Sequence, residues 1–212
     1  MEMIKDEKEL YEIIRELEIL DGHIKKYNEG AYPAFYLQLK TAFRVADILS
    51  LKLKELYGIV DGNITVNESI TVNGTVFRLK DEDKVTFGAY ILHRTPISID
   101  QGSEDILEDF LCVNKQGKQL TNQVYRKLLE RAVYELNLKH DFNTFYLHSL
   151  YGYFQLVFAK KTIPALMQEY HCSRYYLFNQ VLKDFNVGLA SSVVHQAAGI
   201  MPEGSSKGKS EG

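Results

Sequence analysis

Apolar side chains recur at helical spacing along residues 143–182, and the rest of the chain can be placed around this stretch. The first part has one broad apolar face, formed by Phe145, Leu147, Leu150, Phe154, Val157 and Phe158. A break follows at 161–164, and Pro164 suits the first turn of another helix, where its missing N–H costs nothing. The pattern therefore predicts three helices separated by two short turns.

Three more segments show helical periodicity. Residues 5–28 carry an apolar stripe that ends before Gly30, a residue type that often ends helices. Residues 33–48 form a second helical segment, followed by a short connection. Residues 122–136 follow Thr121, whose hydroxyl is suited to capping a helix N-terminus.

Residues 62–99 are instead rich in β-branched and aromatic side chains. Turn-forming residues at 61–62, 73–74 and 80–83 divide this region into short strands, the last of them at 85–92. The pattern predicts a small antiparallel sheet of three or four strands. The whole chain is therefore expected to form one α+β, mostly helical domain over residues 1–200, with a disordered polar tail at 201–212.

Composition narrows the function classes only slightly. The chain has 212 residues, is 45% hydrophobic and 25% charged, and carries a net charge of −3, as is typical of a globular domain. No apolar run is long enough for a membrane span, and the charged N-terminus does not resemble a signal peptide. Cys112 and Cys172 lack metal-ligand spacing, which favours free thiols in a reducing, cytoplasmic compartment.

The charge is unevenly distributed along the chain. Residues 1–30 contain nine acidic and five basic side chains, whereas residues 113–174 contain nine basic and four acidic ones. A basic C-terminal half is compatible with a surface that faces DNA, although such runs are more often only solvated.

Three motifs carry the candidate chemistry. The first is Thr41-Ala-Phe-Arg44-Val-Ala-Asp47-Ile-Leu-Ser-Leu51, the second is His148-Ser149-Leu150-Tyr151, and the third is Tyr170-His171. Together they resemble, in order, the motifs of the tyrosine recombinase (phage integrase) catalytic domain. That family has a Thr-Gly-x-Arg-x-x-Glu segment, then His-x-x-Arg, then Gly-His, then a nucleophilic tyrosine. The resemblance covers about residues 5–185 and implies that catalytic-domain fold, without a separate N-terminal DNA-clamping domain.

The resemblance places Arg44, His148 and His171 at positions that bind the scissile phosphate in the family, which needs no metal or other cofactor. It also implies a lysine on a hairpin, for which Lys80 and Lys84 are candidates. The residues alone also allow a structural interpretation, in which Arg44 is an ion partner of Asp47, three residues later, and the histidines are packing residues.

Two parts of the family's catalytic machinery are replaced. Tyr151 stands where the second arginine is expected, and Gln180 stands where the nucleophile is expected. Tyr175 and Tyr176 follow His171 too early, roughly 6 Å short of that position along a helix. We therefore expect a non-catalytic protein in which Arg44, His148 and His171 still surround an anion-sized hollow, with a hydroxyl from Tyr151.

The resemblance implies double-stranded DNA as the partner, bound with the help of a second copy or a partner recombinase or regulator. Candidate contacts to the DNA backbone, besides the three hollow residues, are Arg126, Lys127, Arg131 and Arg174. The expected role is a transcriptional regulator or accessory factor of a phage or mobile element. An active recombinase using an atypical tyrosine and a protein-interaction module without DNA binding stay open as alternatives.

Overall fold

The computed structural model describes residues 7–94, 103–183 and 185. The predicted tail at 201–212 and the end of the predicted domain lie outside these residues. The helices are α1 (Glu7–Tyr27), α2 (Tyr32–Lys40), α3 (Val45–Ser50), α4 (Leu53–Leu56), α5 (Asp81–Arg94), α6 (Ser103–Ile106), α7 (Asn122–Glu135), α8 (Thr144–Val157), α9 (Ile163–Glu169) and α10 (Arg174–Tyr176), which continues into a π-helix (Leu177–Val181). None of the helices described is long and apolar enough to span a membrane.

Helix α8 lies at the centre of the fold. Its buried residues are Tyr146, Leu147, Ser149, Leu150, Tyr151, Gly152, Tyr153, Leu156 and Val157. Helix α2, helix α9 and the π-helix all pack against it. Near the C-terminal end of the described chain, the Phe185 ring stacks on Tyr153 at 4.7 Å and on Tyr146 at 5.6 Å. The first helix of the predicted central stretch therefore lies in the core, although Phe145 of the predicted apolar face is 39% exposed.

A buried amide joins α8 to two other helices. Gln38 on α2 is fully buried, and its Nε2 donates to the backbone carbonyl of Thr144 at 3.0 Å. Its Oε1 accepts a hydrogen bond of 2.9 Å from the buried hydroxyl of Tyr125 on α7. Both ends of the amide are thus satisfied, as a buried polar group requires. Gln38 therefore fixes how α2, α7 and the start of α8 meet.

Helix α1 is attached through its polar face as well as its apolar one. The predicted apolar stripe is buried, with Leu10, Ile13 and Leu17 inside the core. On the other face, the Glu16 carboxylate accepts hydrogen bonds from the backbone N–H groups of Lys139 at 2.9 Å and His140 at 3.0 Å. These bonds tie α1 to the connection that leads into α8.

The helical segment predicted at 33–48 is broken in the structure. Helix α2 ends at Lys40 because the Thr41 hydroxyl donates to the Leu37 carbonyl at 2.7 Å and accepts from the Phe43 N–H at 3.2 Å. Such local bonds compete with the helical ladder. Helix α3 begins only at Val45, so Arg44 lies at the junction between the two helices.

Four antiparallel strands form, three of them in the predicted region and one before it, and they do not make one sheet. Strands β1 (Tyr57–Val60) and β2 (Asn63–Val66) pair in one hairpin, and β3 (Ser69–Val72) and β4 (Thr75–Arg78) pair in another. In the second hairpin, Val72 pairs with Thr75 across the tight turn Asn73-Gly74. Both turn residues have positive φ, 49° and 79°, as a two-residue hairpin turn requires.

The strand predicted at 85–92 and the turn predicted at 80–83 are wrong, because these residues form α5. The buried positions Asp83, Phe87, Tyr90 and Ile91 follow a spacing of three to four residues, which is helical. The Asp83 carboxylate accepts from the Lys80 N–H at 2.8 Å and from the Tyr36 hydroxyl at 2.6 Å. An acidic first turn is favoured at a helix N-terminus, so these residues begin a helix and do not close a hairpin.

The starts of the C-terminal helices agree with their sequence signals. Thr121 accepts from the Val124 N–H at the start of α7. Asn143 accepts from the N–H groups of Phe145 and Tyr146 at the start of α8. Thr162 caps α9, and Pro164 lies in its first turn.

We expect Gln38→Leu to lower the free energy of unfolding by about 2 kcal/mol, because it leaves the buried Tyr125 hydroxyl without an acceptor. Urea denaturation would measure the loss. Adding Tyr125→Phe removes the orphaned hydroxyl and should restore part of the stability. A Gln38→Leu protein as stable as the wild type would show that the amide bridge does not hold these helices together.

Candidate functional site

A hollow of about 290 Å³ lies where the α2–α3 junction, the β3–β4 hairpin and the end of α9 meet. It is lined by Ala42, Phe43, Arg44, Asp47, Val72, Asn73, Thr75, Glu169, Tyr170 and His171. Arg44 and His171, which the motifs predict to lie together, are thus brought into one cavity from positions 127 residues apart. His148, Tyr151 and Gln180 are not among the lining residues.

Arg44 is exposed and its side chain is available to a ligand. Its backbone carbonyl accepts the N–H groups of Asp47 at 3.0 Å and Ile48 at 3.1 Å, which starts α3. Asp47 lines the same hollow, but within the described part of the chain no ion pair joins it to Arg44. The interpretation of Arg44 as an ion partner of Asp47 therefore finds no side-chain contact to support it.

His171 is held against the hairpin. Its backbone lies in the left-handed region, with φ of 46°, just after α9 ends. The Nε2 atom of its imidazole forms a short hydrogen bond with the Thr75 hydroxyl, at the start of β4. Sequence reasoning identified the Asn73-Gly74 turn but did not assign Thr75 to the site. The turn brings Thr75 to the hollow, and only the fold brings it to His171.

Neither lysine proposed for the hairpin position lines the hollow. Lys84 is on α5, where its ammonium pairs with Glu68 at 2.6 Å. Lys80 is exposed just before α5. The hairpin residues at the hollow are Val72, Asn73 and Thr75, so the hairpin supplies polar groups but no cation there.

His148 is half-buried and is not among the residues that line the hollow. Its Nδ1 atom has no hydrogen-bond partner, and its ring meets the Tyr170 ring edge-on at 4.8 Å. Burial, as the larger cause, and the nearby charge of Arg44 together lower the pKa of His148 to about 4, against a hydrogen bond to the Phe43 backbone that raises it. His148 is therefore neutral near pH 7, and the expectation that it surrounds the hollow stays a prediction, since the structure does not include it in the lining.

Tyr170 separates His148 from the hollow. It occupies the glycine position of the expected Gly-His motif, and its hydroxyl donates to the His148 carbonyl at 2.6 Å. Gly152 on α8 makes room for it, since a Cβ atom at Gly152 would lie 2.8 Å from the Tyr170 hydroxyl oxygen. The glycine, Gly152, is therefore on α8, and the tyrosine, Tyr170, precedes His171.

The residue in place of the second arginine does not line the hollow but reaches one of the residues that do. Tyr151 is buried, and its hydroxyl donates to Glu169 Oε2 at 3.3 Å. Burial raises the pKa of Tyr151, and the Glu169 charge raises it further. Glu169 itself lines the hollow, and its Oε1 pairs with the ammonium of Lys161. Sequence reasoning assigned neither Glu169 nor Lys161 to the site.

The residues near the expected nucleophile are at the surface. Gln180 is exposed on the π-helix. Tyr175 and Tyr176 on α10 are 76% and 44% exposed. The Arg174 guanidinium lies over the Phe178 ring, 5.7 Å from its centroid. The described residues contain no group of three His, Cys, Asp or Glu side chains that could hold a metal ion.

The outward face of α7 carries the predicted cations, but two of the three are paired with acids. Arg126 lies 3.7 Å from Glu130, and Arg131 Nε lies 2.6 Å from Glu135. Lys127 is exposed, and no ion pair to it is found in the part of the chain that the structure describes. The available positive charge on this face is therefore greatest at Lys127.

The fold agrees with known proteins. The model of the phage integrase family matches residues 5–164. The crystal structure of XerA recombinase has a TM-score of 0.57 and 14% identity, covering 87% of this chain and 58% of that one. The Tn1549 transposon integrase in complex with circular intermediate DNA has a TM-score of 0.52 and 19% identity, covering 80% of this chain and 58% of that one.

A second Tn1549 integrase structure, a Tyr-to-Phe variant in complex with transposon right-end DNA, has a TM-score of 0.51 and 18% identity. It covers 85% of this chain and 60% of that one, so the chain spans less than two thirds of these structures. Among curated protein sequences, none matches the chain significantly.

The burial of neutral His148 should make the fold acid-sensitive. Its pKa of about 4 lies below its ordinary value of 6.5, so between these values the unfolded chain binds a proton that the folded chain does not. The free energy of unfolding should therefore fall, as pH drops from 6.5 to 4, by about 3 kcal/mol from this group. Chemical denaturation of wild type and His148→Gln across this range would measure it. Equal pH dependence in the two proteins would show that His148 titrates normally.

Proposed function

Because the chain belongs to the phage integrase family, we propose that it binds a phosphate of duplex DNA in the hollow of Arg44 and His171 and does not cut it. The observation that carries the proposal is that the motif residues lie in different places. Arg44 and His171 line one cavity, whereas Tyr151 is buried against Glu169. The hollow thus keeps donors for a phosphate and lacks the second guanidinium.

The missing groups matter because of the chemistry of strand cleavage. Attack of a tyrosine on a phosphodiester passes through a crowded anionic phosphorane, which two guanidinium groups hold better than one. Removing one such donor typically costs about 100- to 1,000-fold in rate. A neutral His148 and a buried Tyr151 supply no charge in its place. With Gln180 in place of the nucleophile, binding without cleavage is the function that these residues support best.

Further DNA contacts are proposed on α7 and α10. Lys127 supplies the free cation on α7, Arg126 and Arg131 can join it by exchanging their glutamates for phosphates, and Arg174 extends the surface. The Tn1549 integrase structures are of complexes with DNA, which supports this class of partner.

We propose further that the protein acts in the cytoplasm as a regulator or accessory factor of a phage or other mobile element. One copy offers few unpaired cations on these faces, so a homodimer or a partner recombinase would supply the remaining affinity.

The rival function is strand cleavage by an atypical tyrosine. The exposure of Tyr175, at 76%, favours this rival, because that hydroxyl is accessible to a phosphodiester. A protein-interaction role without DNA binding is the second rival, and it would leave Arg44 without a ligand.

Arg44→Ala should weaken binding to duplex DNA about ten- to a hundredfold, because it removes a charge-assisted contact to phosphate. Its melting temperature should stay close to that of the wild type, since the side chain is exposed. Fluorescence anisotropy over a salt series would also show a slope smaller by about 0.9. Arg15→Ala, an exposed arginine on α1, is the matched control. Equal affinity of the Arg44 and Arg15 variants would place the DNA elsewhere.

We expect no covalent complex when the protein is incubated with nicked suicide DNA substrates. Denaturing electrophoresis of labelled DNA would detect such an adduct. An adduct that disappears in Tyr175→Phe or Tyr176→Phe would establish the rival function and end the non-catalytic proposal.

A further inference from the structure

Glu169 places a carboxylate in a hollow that otherwise suits an anion. Glu169 is the last residue of α9 and lines the hollow together with Arg44, Asp47 and His171. Both of its oxygens are engaged, Oε1 by the Lys161 ammonium and Oε2 by the Tyr151 hydroxyl. The two groups that hold Glu169, an ammonium and a hydroxyl, are donors that bind phosphate oxygens equally well.

Lys161 is well placed to exchange one anion for another. It lies on the connection between α8 and α9, where its backbone N–H donates to the Gln155 carbonyl at 2.9 Å and fixes the chain. The Lys161 and Glu169 side chains are 33% and 31% exposed, so solvent reaches the pair. A lysine ammonium on a flexible four-carbon stem can follow an anion over several ångströms.

We propose that Lys161 is a second phosphate-binding residue of the hollow, and that Glu169 determines how tightly the hollow binds by occupying Lys161 and Tyr151 in place of phosphate. This inference rests on the proposed function, since it assumes that a DNA phosphate enters beside Arg44. The Glu169 carboxylate opposes phosphate in two ways. It repels the incoming anion directly, and it neutralises the cation nearest to it.

Glu169→Gln tests this proposal with little change of shape. The amide keeps an oxygen for Tyr151 but loses the charge that holds Lys161. Affinity for duplex DNA should rise about tenfold, in line with the removal of one like charge near the ligand and the release of one cation. The salt dependence should steepen by about 0.9 in slope, because one more phosphate is neutralised.

A double-mutant cycle separates Lys161 from the general effect of charge. The variants are Glu169→Gln, Lys161→Gln and the two combined. If Lys161 binds phosphate, the gain from Glu169→Gln is largely lost in the combined variant. If the combined variant keeps the full gain, Lys161 is not a ligand and the proposal is overturned. Glu82→Gln, which breaks a comparable half-exposed pair with Lys40, is the matched control and should leave affinity unchanged.

Inorganic phosphate provides a readout that does not depend on DNA binding. The His171 imidazole resonances, observed by NMR, would report phosphate entering the hollow in wild type and variants. If Glu169→Gln binds phosphate more tightly than wild type, and neither of the two binds duplex DNA, the result supports the inference and contradicts the proposed DNA-binding function. The opposite outcome is also possible. If Arg44→Ala weakens duplex binding, while wild type and Glu169→Gln bind duplex and phosphate equally well, the proposed function stands and the inference is overturned.

Discussion

Helix α8 is buried around most of its circumference, and this constraint sets the arrangement of the other elements. A helix that is apolar on nearly all sides can be stable only inside a protein. Helix α2, helix α9, the π-helix and Phe185 therefore surround it. At its N-terminal end, the Gln38 amide donates to the Thr144 carbonyl and accepts from the Tyr125 hydroxyl, so the polar groups at this end of α8 have partners. Most residues on α8 are consequently in the interior.

That burial explains where the side chains of the second motif, His148 and Tyr151, lie. The resemblance implies that the residues at the positions of His148 and Tyr151 face the scissile phosphate in the family. Here the Tyr170 ring lies against His148, and Tyr151 directs its hydroxyl to Glu169. A tyrosine tolerates this burial because its ring is apolar and its hydroxyl finds an acceptor. A guanidinium at position 151 would bring a permanent charge to the same buried place and would need a strong partner.

The hollow that results has mixed charge. Arg44 and His171 supply the cation and the imidazole, while Asp47 and Glu169 supply carboxylates. The carboxylate of Glu169 is shared with Lys161 and Tyr151, so the charge that an incoming phosphate meets depends on a network and not on Arg44 alone. Electrostatics of this kind adjusts affinity without changing the fold, since most of the groups involved are at least partly exposed.

The sequence by itself determined the elements whose signals are local. The apolar spacing, the cap Thr121 and the first-turn residue Pro164 placed α7, α8 and α9, and the Asn73-Gly74 turn placed the β3–β4 hairpin. The order of the motifs also identified the family. The α5 error came from reading β-branched residues by composition, although the spacing of its buried positions was helical. The break at Thr41 depends on a hydroxyl that competes with the helix ladder, which spacing does not reveal.

The tertiary structure alone decided which motif residues share the hollow. Thr75 and His171 are 96 positions apart, and Tyr151 and Glu169 are 18 apart on different helices. Whether such side chains meet depends on how the helices and the hairpin pack, because hydrogen bonds act over about 3 Å while spacing along the chain fixes only the local face. The sequence could therefore assign Arg44, His148 and His171 to a family, but packing decided that His148 does not line the hollow. The position of Glu169 in the lining of the hollow followed from the same packing.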